Sequence, residues 1–97
     1  MAFVFFQGKL INANQAVQIS LVPPEQDPKN PMNSFYAMSF VMSSGAVERV
    51  GFFSSPDVAK TAFNKFADWL ASGSTELFNA DKVSLELNQA AARSAGR

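Results

Sequence analysis

The spacing of apolar residues first changes shortly after residue 53 of this chain of 97 residues. Before that point apolar side chains recur at every second position in short segments, which is the period of a strand with one buried face. After it they recur at three- and four-residue spacing, which is the period of an amphipathic helix. The chain is therefore expected to fold as one α+β domain over residues 1–97, because its length suits a single hydrophobic core.

Four segments carry the strand pattern. The first two, 3–11 and 15–22, are separated by three residues and are predicted to pair as a hairpin. The next two, 34–43 and 46–53, flank a Ser-Gly pair, which is typical of a tight hairpin turn. Together they predict an antiparallel sheet built from two hairpins, in which the four strands follow one another along the chain.

The two predicted hairpins are joined by a proline-rich segment, residues 23–33. It holds four of the five prolines of the chain and shows no alternation, so it is predicted to be a solvated hairpin loop. Its Pro-x-x-Pro spacing also occurs in recognition segments, but that spacing alone is a weak signal.

A helix is predicted to begin directly after the strands. Ser55 has the side chain of an N-cap, Pro56 suits the first helical position, and Asp57 favours the positive end of the helix dipole. Apolar residues then recur along one stripe, which includes Trp69 as an expected core anchor, until Gly73 supplies a stop. One long amphipathic helix is therefore expected to cover one face of the sheet.

The C-terminal segment is open to two interpretations. Val83, Leu85 and Leu87 alternate with polar residues, so Leu77–Asn88 is predicted as a fifth strand, giving the order ββββα(β) with residues 89–97 as a frayed tail. The alanine run that follows has helix-forming composition, so a helix is the alternative. We prefer the strand, and the expected sheet has four or five strands.

Composition excludes several kinds of chemistry. The chain has no Cys and no His, which removes thiolate nucleophiles, thiolate-bound metals and the commonest general base. Its carboxylates show no ligand spacing, and charged side chains are mostly solvated. We therefore expect a protein that is not an enzyme, with no catalytic residue, no cofactor, no metal and no small-molecule substrate.

The charge balance and the apolar runs bear on partners and location. Net charge is zero, so no long-range field attracts the protein to polyanions or to an anionic membrane. The apolar run at residues 2–6 is too short for a membrane span or for the core of a signal peptide. No membrane partner is expected, and the cytoplasm is the default location because no targeting signal is seen.

The aromatic residues of the strands suggest a second use for the sheet. The face predicted to pack on the helix carries Val4, Phe6, Leu10, Val17, Ile19, Leu21, Tyr36, Met38, Phe40, Val50 and Phe52. The opposite face then carries phenyl rings among amides, hydroxyls and two cations, and no element of the chain is predicted to cover it. The candidate interaction residues on that face are Phe3, Phe5, Lys9, Gln18, Phe35, Arg49 and Phe53.

This face has three interpretations. It is an ordinary, partly apolar surface; or a protein interface, where Phe and Arg are enriched; or a platform on which single-stranded nucleic acid stacks. Two cations are few for nucleic acid, so we favour a protein-interaction module that acts as a homodimer or as an inhibitor or adaptor on a larger partner. A phage or mobile-element origin is a guess without motif support, and nucleic-acid binding is the alternative function.

Overall fold

The computed structural model of the protein describes residues 2–95, and within them it has the predicted α+β class. The strands are β1 (Phe3–Phe6), β2 (Lys9–Asn12), β3 (Ala16–Val22), β4 (Tyr36–Met42), β5 (Val47–Phe53) and β6 (Phe78–Asn79). The helices are α1 (Pro56–Ala71) and α2 (Ala80–Ala95), with short 3-10 helices at Ala13–Gln15 and Pro31–Ser34. The strands form two three-stranded sheets and not one sheet of four or five: a first sheet in the order β2-β1-β6 and a second in the order β3-β4-β5.

The first predicted hairpin is wrong, because residues 3–11 are not one strand. The chain reverses at Gln7 and Gly8, whose φ angles of 51° and 77° are both positive, as a two-residue hairpin turn of type I′ requires. β1 and β2 therefore pair with each other, with Phe6 opposite Lys9. The segment 15–22 supplies β3, which pairs with β4 in the second sheet.

The second predicted hairpin is confirmed, since β4 and β5 pair as antiparallel neighbours. The proline-rich segment connects β3 to β4, two antiparallel neighbours, so it is a hairpin loop as predicted. The N–H of Glu25 donates a 2.8 Å hydrogen bond to the carbonyl of Asn33, which draws the two sides of this loop together.

A bulge at Gly51 reverses the predicted orientation of the end of β5. Tyr36 lies opposite Phe53, whereas Met38 lies opposite Val50, so β5 has one extra residue between these pairs. Gly51 holds a φ of 95°, which suits glycine at such a position. Phe53 consequently points into the core with 1% exposure, and its predicted place on the uncovered face is wrong.

The predicted helix is confirmed as α1. The Ser55 hydroxyl accepts a 3.2 Å hydrogen bond from the N–H of Val58, so it caps the helix as expected. Phe66 lies on the buried face of α1, and the partly buried Trp69 packs beside it with ring centroids 5.7 Å apart. The Trp69 indole N–H donates to the carbonyl of Glu76, which satisfies its polar group.

The fifth strand predicted for Leu77–Asn88 is also wrong. Its strand portion is β6 alone, which lies parallel to β1. The chain then enters α2, where Asn79 accepts a 3.0 Å hydrogen bond from the N–H of Lys82. Residues 89–95, predicted as a frayed tail, form the second half of this helix, and residues 96–97 of that prediction lie outside the described residues.

The side-chain spacing explains why this segment forms a helix and not a strand. Val83, Leu87 and Ala91 are four residues apart, so in a helix they form one apolar stripe, and all three pack against the core. In a strand Leu85 would join Val83 and Leu87, but in α2 it is exposed. The alanines that follow favour the helix further.

The buried residues form one cluster that draws on the inner faces of both sheets and on α1. Val4 and Phe6 contribute from β1, and Met38 and Phe40 contribute from β4. α2 lies against α1, β1 and the outer edge of β5. Neither helix of the described residues is long and apolar enough to cross a bilayer.

Candidate interaction surface

The residues predicted to form one interaction face are distributed over several parts of the molecule. Phe3 and Phe5 lie on the outer face of the first sheet, and Lys9 lies at one end of that sheet. Gln18 and Arg49 lie on the outer face of the second sheet. Phe35 lies just before β4, and Phe53 is buried in the core. The structure therefore brings Phe3 and Phe5 together, and separates them from the other five.

An apolar group on the outer face of the first sheet combines Phe3 and Phe5 with Leu10, and we call these three residues the N-terminal patch. Phe5 and Leu10 are directly opposite each other across β1 and β2, so their side chains share a face. Phe3 and Phe5 are partly buried but do not pack against the buried core, and Leu10 is 63% exposed. The three side chains form an apolar surface on the protein.

The cross-strand neighbours of Phe3 and Phe5 outside the patch are uncharged. Asn12 lies opposite Phe3 on β2, and Asn79 lies beside Phe5 on β6. The centres of protein interfaces are likewise depleted of charge and enriched in phenylalanine. The composition of this face is therefore that of an interface centre.

The Gln7–Gly8 turn explains why Leu10 was not predicted as part of this surface. Alternation along an unbroken strand places Leu10 with Val4 and Phe6, on the face that meets the helix. The turn folds the strand back on itself, and Leu10 comes to lie opposite Phe5. Glycine within an alternating run was the signal that could have revealed the turn.

Arg49, predicted as a candidate interaction residue, is engaged within the chain. Its Nη2 donates hydrogen bonds of 2.7 Å to the carbonyl of Pro23 and 2.9 Å to the carbonyl of Phe35. Its Nε is buried and has no hydrogen-bond partner among the described residues. Arg49 therefore holds the two ends of the proline-rich loop beside β5.

Lys9 is paired as well. Its Nζ lies 3.3 Å from Oε1 of Glu48, with the lysine side chain 66% exposed and the glutamate side chain 31% exposed. Lys9 is opposite Phe6 and Glu48 is opposite Phe40, so the ion pair joins the inner sides of the two sheets where the core ends. The pair closes this end of the space between the sheets.

Two open cavities of about 330 and 340 Å³ lie beside this ion pair. Ile11 and Glu48 line both of them, and Leu10 lines the second. The N-terminal patch is thus continuous with a shallow depression between β2 and β5.

Comparison with protein-family models, with curated proteins and with solved structures gives no match for this chain. Within residues 2–95, no group of three or more acidic side chains is arranged to hold a metal ion. The functional interpretation therefore depends on the geometry of the surface itself.

Proposed function

We propose that this protein is a small non-enzymatic protein-binding module that docks its N-terminal patch onto a partner protein. The observation that supports this most directly is the position of Leu10, which is largely exposed beside two phenyl rings outside the core. An apolar cluster with uncharged neighbours suits the centre of an interface, where side chains lose their contact with water.

The size of the patch sets its expected contribution. Complete burial of a leucine or phenylalanine side chain contributes about 1.5–3 kcal/mol, and Phe3 and Phe5 are already partly buried. The patch therefore supplies a few kcal/mol at most, and a stable complex needs further contacts. The depression between β2 and β5 borders the patch and offers room for them.

Single-stranded nucleic acid, the alternative expected from the sequence, has less support. Of the rings assigned to base stacking, Phe53 is buried in the core. Of the cations assigned to phosphate, Lys9 is paired with Glu48 and Arg49 donates to two carbonyls. A stacking platform depends on accessible rings and available cations together.

Site-specific photocrosslinking in the cells that make the protein tests the proposal. A photoreactive amino acid replaces Leu10 in one variant and Lys60, an exposed residue of α1, in the other. We expect one partner protein to be cross-linked from position 10 and not from position 60. Absence of a protein cross-link, a cross-link to nucleic acid, or a cross-link to a second copy of this chain would each overturn the assignment of this patch to a partner protein.

A second pair of variants, each made in the position-10 photoreactive protein, separates loss of docking from loss of fold. Phe5→Ser should abolish the cross-link while circular dichroism shows a folded protein, because Phe5 lies outside the buried core. Leu85→Ser, which changes an exposed leucine on α2, should leave the cross-link intact. Equal yields from both variants would contradict a role for the patch.

A further inference from the structure

The outer edge of β3 is open in the part of the chain that the structure describes. β3 is the first strand of the second sheet and pairs with β4 alone. No hydrogen bond described for residues 2–95 reaches the backbone of residues 17–21 from the other side. One row of N–H and C=O groups is therefore available along a strand of seven residues.

The opposite edge of the same sheet is covered at the C-terminal end of β5. On β5, Ser84 accepts from the N–H of Phe52, and Asn88 accepts from the N–H of Ser54 while donating to the carbonyl of Phe52. α2 thus takes the place of a neighbouring strand at this end of the edge. Proteins commonly protect edge strands in this way, or with charges, prolines and bulges.

β3 has few of these protections. Residues 16–22 contain no charged residue and no proline, and the sole irregularity in its pairing with β4 is a bulge between Ala16 and Gln18. Val17 is 71% exposed and Leu21 is 37% exposed. A long, uncharged edge with exposed apolar side chains is a template for addition of another strand.

The sequence of β3 suits a second copy of the same strand. If two copies pair antiparallel with Ile19 opposite Ile19, Gln18 of each copy lies opposite Ser20 of the other, and Val17, the extra residue of the bulge, lies nearest Leu21. Apolar residues then meet apolar residues and polar residues meet polar ones, in both directions. This reciprocity is what a two-fold interface requires.

We propose that two copies of the chain pair through β3 about a two-fold axis and form a continuous six-stranded antiparallel sheet. Zero net charge does not oppose the association. The inference does not depend on the proposed function, because the N-terminal patch belongs to the first sheet. A dimer of this kind presents two copies of that patch.

Charge variants and mass measurement test the pairing. Light scattering of the natural chain should give twice the chain mass of 10.5 kDa. Val17→Lys/Leu21→Lys and Val17→Glu/Leu21→Glu each place like charges near one another, and each should weaken the dimer by at least about 100-fold. Mixing the two variants should restore a dimer, which also shows that both are folded.

The register can be tested separately because the chain has no Cys of its own. A mixture of Gln18→Cys and Ser20→Cys proteins should form disulfide-linked dimers faster than either protein alone, since these positions are opposite each other. Phe5→Ser should remain dimeric, which separates this interface from the N-terminal patch. A monomeric natural chain, or a dimer that both charge variants retain, would overturn the proposal.

Discussion

The hydroxyl of Ser84 accepts a 3.1 Å hydrogen bond from the backbone N–H of Phe52, which joins the N-terminal half of α2 to the outer edge of β5. Ser84 is fully buried, so this bond is shielded from water. With the two bonds made by Asn88, it satisfies the edge of β5 through side chains. These hydrogen bonds fix the orientation of α2 on the second sheet, in addition to the apolar contacts that hold it there.

We expect Ser84→Ala to lower the free energy of unfolding by about 1–3 kcal/mol, because the N–H of Phe52 loses its partner in a partly buried place. Urea denaturation monitored by circular dichroism measures the change. Ser94→Ala, an exposed position on the same helix, is the matched control and should shift stability by about 0.5 kcal/mol or less. Equal shifts for the two variants would contradict the role assigned to Ser84.

The core position of Phe53 predicts a large difference from Phe5. Phe53→Ala should destabilise the fold by about 3–5 kcal/mol, because it leaves a cavity in the core. Phe5→Ala should cost about 1–2 kcal/mol, since its ring is partly exposed and outside the core. Thermal and urea unfolding of the two variants side by side test this, and comparable losses would mean that Phe53 is not a core residue.

Replacement of Gly51 by alanine is expected to lower the stability of the fold for two reasons. The backbone φ of 95° disfavours any L side chain, and a Cβ at this position would collide with the ring of Phe53. Gly8→Ala is the matched control, because Gly8 also has a positive φ but faces open space.

We expect Gly51→Ala to cost about 1–3 kcal/mol more than Gly8→Ala, which is the typical cost of overpacking. Urea denaturation of the two variants measures the difference. If they lose the same stability, backbone strain alone explains the glycine and the contact with Phe53 does not matter.

The ion pair between Lys9 and Glu48 should contribute little to stability. A double-mutant cycle with Lys9→Gln and Glu48→Gln is expected to give a coupling energy of about 0.2–1 kcal/mol at low ionic strength, because the lysine is largely exposed. The coupling should fall as salt is raised, since screening weakens exposed pairs. A larger, salt-independent coupling would show that the pair is shielded from solvent.

Local signals that depend on neighbouring residues were sufficient for part of the fold. Ser55 and Pro56 predicted the start of α1 because capping involves backbone groups within one turn. The β4–β5 hairpin followed from a glycine-containing turn between two alternating segments. Such features do not depend on what the rest of the chain does.

Prediction of the other elements depends on which face each successive side chain points to. A turn or a bulge at one position reverses that assignment for the residues that follow. The turn at Gln7–Gly8 and the bulge at Gly51 each change which side chains share a face, and this moved Leu10 outward and Phe53 inward. The apolar residues of the α2 segment fit both the two-residue spacing of a strand and the four-residue spacing of a helical stripe. This ambiguity explains why the segment is predicted as a strand. Phe3 and Phe5 precede the turn, so alternation predicts them correctly for the candidate surface. Leu10 follows the turn, so alternation places it on the wrong face.

The bonds between α2 and β5 also bear on how the proposed dimer could grow. In the part of the chain that the structure describes, α2 occupies the Phe52–Ser54 end of one edge of the second sheet, and the β3 edge is free. In the proposed dimer, strand addition at β3 uses this free edge of both partners, so a third copy would find no free β3 edge.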